Sequence, residues 1–247
     1  MTIPSGLGTS LPPHRAPQPI VALDVPTLRE AQALVQRLGD APDFYKVGLQ
    51  LFTREGPAVV DWLTGASKRV FLDVKLHDIP NTVRGATASA AALGVDLITV
   101  HAAGGDQMLL AAVEGVGGPG ARTGVLAVTV LTSFDDEGYA AATGGRSGGT
   151  IRDAVLSFAE RAMTCGARGV VCGGAEAAAV RAVHGDALGT LVPGLRLAGG
   201  ASHDQARTVT PVDARSCGAR WVIVGRVVTG AADPAATYAT VVDALGA

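Results

Sequence analysis

The chain has 247 residues, of which 48% are hydrophobic, 17% charged and 4% aromatic, and its formal net charge is −2. That length and apolar fraction suffice for a large aliphatic core, while the near-neutral charge without a basic stripe gives nucleic acid no electrostatic footprint. No apolar run approaches the ~18 residues that a membrane span needs, so we expect no membrane partner. Three cysteines without paired or zinc-ligand spacing favour a reducing compartment, which predicts a cytoplasmic protein.

The N-terminal 19 residues differ in composition from the rest of the chain. They contain five prolines and no apolar central stretch. We therefore expect a flexible tail over residues 1–19, rather than a signal peptide or a helix, and one catalytic domain over residues 20–247.

From residue 20 onward, short apolar runs alternate with longer Ala- and Leu-rich segments of helical period. The runs predict strands at 20–24, 43–48, 69–75, 96–101, 124–132, 168–173, 190–194 and 221–225. The segments between them predict helices at 27–38, 53–63, 82–93, 106–116, 151–165, 175–184, 203–217 and 234–245.

Eight strand–helix units of about 28 residues each predict a fold of the α/β class. Because the strands are almost wholly apolar, we expect a parallel sheet covered on both faces, closed into a single-domain (β/α)8 TIM barrel. A doubly wound open sheet is the alternative. It is weakened because Val25, Pro26 and Thr27 follow the first strand where a Gly-rich dinucleotide motif would stand.

Polar or turn-forming residues stand at the ends of most predicted strands. In chain order they are Asp24, Lys46, Asp73, Lys75, His101, Thr132, Pro193, Gly194, Gly225 and Arg226. Because the carboxyl ends of barrel strands form one rim, where active sites are built, we expect these residues to share a pocket. We expect His101 to be a hydrogen-bonded rim residue, and no histidine has the spacing of a metal ligand, which predicts no metal site.

The third predicted strand carries the densest charge pattern. Side chains alternate along a strand, so Asp73 and Lys75 share one face, and Lys46 of the neighbouring strand is their natural partner. Asp78 follows in the next loop, which makes an alternating array of Lys46, Asp73, Lys75 and Asp78 possible. The functional interpretation is a lysine held charged as a proton donor. A salt-bridge network that only holds the rim is the alternative.

The end of the chain predicts a phosphate site. Gly225 and Arg226 end the eighth strand, and a short helical turn is expected near Gly230. The Gly-rich loop 195–206 has Arg196 and Gln205 near its ends as possible clamps, and an ordinary flexible loop is the alternative. The long loop 133–149 is either a cover over the site or a surface excursion.

The segment Asp73-x-Lys75-x-x-Asp78-Ile-Pro-x-Thr82 resembles the signature of orotidine 5'-phosphate decarboxylases. The resemblance covers about residues 20 to 246, with the motifs in the family's order. Matching positions elsewhere are Asp24, Lys46, Thr132, Pro193, Gly194, Arg196, Asp204, Gln205, Gly225 and Arg226. Val192 and Leu197 depart from the pattern, since threonine and proline are common there.

The resemblance implies decarboxylation of orotidine 5'-phosphate to UMP in de novo pyrimidine biosynthesis, without a cofactor. It implies that Lys75 protonates C6 and that Asp73 lies near the departing carboxylate. Ribose contacts would come from Asp24, Lys46, Asp78 and Thr82, pyrimidine contacts from Thr132, and further substrate contacts from Pro193, Arg196, Gln205, Gly225 and Arg226. It also implies a homodimer in which Asp78 and Thr82 reach the neighbouring site.

Two other functions stay open at this point. One is a magnesium-dependent sugar-phosphate lyase or decarboxylase of the same fold, against which Lys46 argues because those relatives have a glutamate in that strand. The other is a catalytically silent barrel that binds a phosphorylated ligand, against which the intact pair Asp73 and Lys75 argues.

Overall fold

A computed structural model describes residues 16–144, 149–197 and 208–247. Eight parallel strands pair in sequence order, and the eighth pairs with the first to close a barrel. They are β1 (Gln18–Ala22), β2 (Phe44–Gly48), β3 (Arg69–Leu76), β4 (Leu97–His101), β5 (Gly124–Val128), β6 (Gly169–Val171), β7 (Gly189–Val192) and β8 (Trp221–Val224). The predicted (β/α)8 barrel is confirmed, and the open doubly wound sheet is wrong.

Helices lie between and after the strands, as the periodicity predicts. In the described residues they are α1 (Leu28–Leu38), α2 (Leu49–Glu55), α3 (Ala58–Gly65), α4 (Pro80–Ala92), α5 (Asp106–Gly115), α6 (Asp136–Ala142), α7 (Ile151–Thr164), α8 (Gly174–His184), α9 (Pro211–Ser216), α10 (Arg226–Thr229) and α11 (Pro234–Leu245). None of these helices is long and apolar enough to cross a membrane.

Two predicted helices differ from the observed ones for local reasons. The segment 53–63 contains a break, because Gly56 has a φ of 61° and Pro57 then lacks the N–H that would continue α2. Residues 203–207 of the helix predicted over 203–217 lie outside the described part of the chain, and within the described part α9 begins at Pro211, after the capping box of Thr210 and Asp213. Val209 bridges to Leu195 and is therefore extended.

The barrel has an inner and an outer apolar layer. The inner layer is built from alternate strand residues: Ile20, Ala22, Phe44, Phe71, Leu97, Leu126, Leu191, Trp221 and Ile223. The residues between them, such as Leu72 and Ile98, pack outward against the helices. This alternation is the reason why Asp73, two residues after Phe71, points into the barrel mouth.

Several strands end earlier than predicted. β1 ends at Ala22, β5 at Val128 and β7 at Val192. Asp24, Thr132 and Pro193 therefore lie in the loops just beyond the strands, where strand pairing does not determine the direction of their side chains. At the other end, β1 begins at Gln18, whose N–H donates to the carbonyl of Arg220 at 2.9 Å. The tail predicted over 1–19 otherwise lies mainly outside the described residues.

The long loop 133–149 contains a helix of its own. Asp135 caps α6, and Asp136 accepts a hydrogen bond from the backbone N–H of Ile151 at 2.9 Å. That bond joins the loop to the first turn of α7. Residues 145–148 lie outside the described part of the chain.

Candidate active site

A cavity of about 240 Å³ opens at the carboxyl end of the barrel. Its wall includes six of the residues singled out from the sequence: Asp24, Lys46, Asp73, Lys75, Thr132 and Pro193. Its floor is apolar and is formed by inner-layer residues, among them Phe71, Leu191 and Ile223. The cavity thus combines an apolar floor with a charged rim, the usual composition of a small-molecule site.

Four charged groups form a chain along the rim. The Lys46 ammonium lies 2.7 Å from Asp24 Oδ1 and 3.8 Å from Asp73 Oδ2, and the Lys75 ammonium lies 2.8 Å from Asp73 Oδ1. Lys46 and Asp73 are the more buried members, with side chains 11% and 13% exposed. Two cations and two carboxylates balance each other, so the two buried charges, Lys46 and Asp73, are both paired, while Asp24 at the outer end is 60% exposed.

Gly48 leaves room for this chain of charges. A Cβ atom at position 48 would lie 2.9 Å from Lys46 Nζ and 3.3 Å from Asp24 Oδ1. A side chain there would push the ammonium away from its carboxylate. The glycine at the end of β2 therefore belongs to the site, a role that the sequence reasoning did not assign to it.

The backbone of β3 is irregular where it carries the charged pair. Leu72 pairs with Ile98 of β4 and Leu76 with Val100, so residues 73–75 face the single residue Thr99. Lys75 has a φ of 48°, in the left-handed region that a long side chain rarely adopts. Backbone strain of this kind typically costs about 1–3 kcal/mol and is found mostly at functional sites.

Thr99 is a site residue that the sequence analysis missed. Its hydroxyl donates to Asp73 Oδ1 at 3.0 Å and accepts the backbone N–H of Lys75 at 2.9 Å. The side chain is fully buried. A signal was present in the sequence, because Thr99 lies two residues before His101 and therefore faces inward with it.

His101 lies beside this cluster rather than in the cavity wall. Its ring centroid is 5.3 Å from that of His77, at an interplanar angle of 34°. Burial lowers the pKa of the His101 imidazole, and the charges of His77 and Lys75 lower this pKa further. His101 is the last residue of β4 and so lies at the expected rim position. Its ring contacts a second histidine, and the side-chain hydrogen bond that we expected does not occur among the described residues.

Asp78 and Thr82 lie outside the cavity of their own chain. Both are exposed, and Asp78 Oδ1 accepts the backbone N–H of Ile79 at 2.6 Å, directly before α4. Ile79 is itself 67% exposed. Within the chain the charged array therefore comprises Asp24, Lys46, Asp73 and Lys75, without Asp78.

The residues predicted to hold phosphate follow β7 and β8. Arg226 is exposed and begins α10, so the turn expected near Gly230 starts four residues earlier, directly after Gly225. Arg196 is half-buried, and its guanidinium donates to the carbonyl of Leu195 at 2.9 Å. Gln205, with most of the Gly-rich loop, lies outside the described residues.

No cluster of three or more metal-ligating side chains occurs within residues 16–144, 149–197 and 208–247.

Comparisons with known proteins give a consistent family. Residues 17–241 match the model of the "Orotidine 5'-phosphate decarboxylase / HUMPS family". The chain is 50% identical over 215 residues to the orotidine 5'-phosphate decarboxylase of Anaeromyxobacter dehalogenans, covering 87% of this chain and 92% of that protein. It is 44% identical over 226 residues to the Cutibacterium acnes protein of the same name, covering 92% and 95%.

A solved structure agrees with these sequence matches. The crystal structure of orotidine 5'-phosphate decarboxylase from Lactobacillus acidophilus superposes with a TM-score of 0.81 at 36% identity. The match covers 94% of this chain and 100% of that one.

Proposed function

The chain belongs to the orotidine 5'-phosphate decarboxylase / HUMPS family, and from that premise we propose that it converts orotidine 5'-phosphate to UMP without a cofactor. Its curated relatives are named as this decarboxylase, a carboxy-lyase. The reaction belongs to pyrimidine biosynthesis. The protein's ligand is accordingly a small nucleotide.

The observation that carries the proposal is the Asp24–Lys46–Asp73–Lys75 chain of charges at the cavity rim. Loss of CO2 breaks the bond between C6 and the carboxyl carbon and leaves the electron pair on C6. The pyrimidine has no adjacent carbonyl to take up that charge. Fixed charges held in a dry site must therefore provide the stabilisation, and a preorganised ammonium is suited to this task.

Lys75 is the proton donor in this proposal. Its ammonium stabilises the pair of electrons developing on C6 and then gives a proton to that carbon, which yields UMP and a neutral amine. The amine regains its proton from water. Asp73, 2.8 Å from the ammonium, keeps Lys75 in place and lies next to the departing carboxylate.

The remaining roles concern binding. Lys46 orients Asp73 and contacts the ribose together with Asp24, while Thr132 contacts the pyrimidine. The position of Pro193 in the cavity wall supports a contact with the ring as well. The phosphate is held by residues that follow β7 and β8: Arg196, Gln205, Gly225 and Arg226. Such remote binding energy serves to hold the reacting carbon against Lys75.

We infer further that the site is completed by a second subunit. Asp78 and Thr82 are exposed and lie outside the cavity of their own chain. In a two-fold homodimer, both residues would reach the ribose in the neighbouring site, an isologous arrangement.

Lys46 supports the decarboxylase over a magnesium-dependent relative. Its ammonium lies between two carboxylates, at 2.7 Å from Asp24 and 3.8 Å from Asp73. It therefore already supplies the positive charge that a divalent ion would bring to these oxygens. Full activity in EDTA is the expected result, and a requirement for magnesium would favour the relative.

The cellular location is inferred from the cysteines. Cys165, Cys172 and Cys217 form no disulfide bonds with one another. Burial raises the pKa of the Cys165 thiol to about 11. Cysteines that form no disulfide fit the reducing cytoplasm.

An absorbance assay with orotidine 5'-phosphate tests the function directly. We expect turnover by the wild type and, for Lys75→Ala, a loss of ~10² or more in kcat with the fold retained by circular dichroism. Lys68→Ala is the matched control, because Lys68 lies at the opposite end of the barrel and donates to the carbonyls of Asp40 and Pro42. A barrel that binds UMP without turnover would be a silent binding protein. If folded Lys75→Ala keeps more than about a tenth of kcat, Lys75 is not the proton donor.

A further inference from the structure

Thr99 lies at the one place where β3 and β4 lose their regular pairing. Leu72 pairs with Ile98 and Leu76 with Val100, which leaves three residues of β3 opposite Thr99 alone. Two of those three residues are Asp73 and Lys75. A bulge of this type changes the direction of its side chains and leaves backbone groups without their regular strand partners. Another group must therefore bond to that backbone to hold the bulge in one conformation.

The Thr99 hydroxyl supplies that partner through both of its hydrogen-bonding functions. It accepts the backbone N–H of Lys75 at 2.9 Å and donates its single proton to Asp73 Oδ1 at 3.0 Å. The same Oδ1 atom accepts from the Lys75 ammonium at 2.8 Å. The hydroxyl thus joins the backbone of one charged residue to the carboxylate of the other.

Burial protects both hydrogen bonds of the Thr99 hydroxyl from competition by water. Thr99 has no exposed surface, so water cannot replace either bond. The φ of 48° at Lys75 places its N–H in an unusual direction, and the hydroxyl is the group that meets it. A β-branched side chain also has few rotamers, which keeps the oxygen in place.

We propose that Thr99 is a positioning residue for the decarboxylation, holding the Lys75 backbone and the Asp73 carboxylate in the geometry that proton transfer requires. This inference rests on the proposed function for its kinetic consequence. Thr99 lies behind Asp73, outside the cavity wall, and therefore acts on kcat through the residues that it holds.

Thr99→Val is the decisive variant, because valine keeps the shape and the β-branch and removes the hydroxyl. We expect kcat to fall about 10- to 100-fold, the effect of misplacing a reacting group by about 1 Å, with little change in the Kd for UMP. Thr99→Ser, which keeps the hydroxyl, should recover most of the lost kcat.

Thr190→Val is the matched control. Thr190 is also a buried strand threonine, but its hydroxyl has no hydrogen-bond partner among the described residues. We expect unchanged kcat. Equal losses in Thr99→Ser and Thr99→Val, or a loss in Thr190→Val as large as that in Thr99→Val, would show that packing matters rather than the hydroxyl.

A measurement independent of turnover separates this inference from the proposed function. Amide hydrogen exchange followed by NMR should be about fivefold or more faster at Lys75 in Thr99→Val, while the paired amides of residues 69–72 keep their rates. If the wild type does not decarboxylate its substrate, the proposed function fails and the exchange result still decides whether Thr99 holds Lys75. Unchanged exchange at Lys75 in a folded variant overturns the inference. If Thr99→Val does not fold, the same comparison is made with Thr99→Ala.

Discussion

At the scale of single residues, the site depends on a small residue that leaves space for the charged side chains. Gly48 is the clearest case, since a Cβ atom there would lie 2.9 Å from Lys46 Nζ. The nearest atom is the tip of a flexible side chain. The backbone can therefore accept a methyl group cheaply, but the ammonium must move.

Gly48→Ala should accordingly separate activity from stability. We expect kcat/KM to fall by about tenfold or more, because Lys46 loses its contact with Asp24, while the free energy of unfolding changes by less than about 1 kcal/mol. Kinetics and urea unfolding on the same preparation measure both effects. Gly65→Ala is the control, since nothing lies within 4 Å of its Cβ position. Unchanged kinetics in Gly48→Ala would mean that the position of Lys46 is not critical.

At the scale of elements, glycines at the starts of strands let neighbouring strands and side chains meet at the lower end of the barrel. A Cβ atom on Gly169, at the start of β6, would lie 2.3 Å from the carbonyl oxygen of Gly189 at the start of β7. At Gly124, at the start of β5, the space that a Cβ atom would take is occupied by the side chain of Arg168. Arg69, at the start of β3, packs its guanidinium over the Phe44 ring, 4.0 Å from the ring centre.

Gly169→Ala should destabilise the barrel. The obstructing atom belongs to the backbone, so relief requires the strands to separate, and overpacking of this kind costs about 1–3 kcal/mol. Urea unfolding should show a lower midpoint, and any activity that remains should have an unchanged KM because the site is at the opposite end. Gly65→Ala, in open space at the end of α3, should not lower the midpoint. Equal stability of Gly169→Ala and wild type would contradict this packing.

At the scale of the whole molecule, closure of the barrel brings the ends of β1, β2 and β3 to one rim and leaves Asp78 outside it. Asp78 follows Lys75 by three residues, yet it lies at the exposed entrance to α4. A second subunit is therefore the proposed recipient of this carboxylate.

Mixing two inactive variants tests the shared site. Lys75→Ala and Asp78→Ala should each be nearly inactive as homodimers. After subunit exchange, half of the dimers are mixed and one of their two sites is repaired, so activity should return to about a quarter of the wild-type value.

The control mixture combines Lys75→Ala with Lys46→Ala. Both lysines line the cavity of the same chain, so no mixed dimer contains a repaired site and no activity should return. Failure of the Lys75→Ala and Asp78→Ala mixture to recover, once subunit exchange has been demonstrated by mass spectrometry, would place Asp78 in the site of its own chain.

Much of the fold and the centre of the site could be predicted from the sequence. Alternating apolar runs and helical segments determine the order of the eight strands. The reason is that the spacing of apolar residues along each segment indicates whether it is a strand or a helix and which of its faces is buried. The period of two also places Asp73 and Lys75 on one face, and the rim assignment brings them to Lys46. These properties are local, and eight parallel strands then close in the way that the pattern indicates.

Tertiary structure alone decided the rest. The pairing of residues 73–75 with Thr99, the φ of 48° at Lys75 and the space beside Gly48 depend on the register between neighbouring strands. A periodic sequence pattern does not record that register, since it describes one strand at a time. The separation of Asp78 from Lys75 likewise follows from the turn into α4, where Pro80 begins the helix and the chain leaves the rim. Contacts between elements, rather than any local preference, determine which polar side chains finally meet.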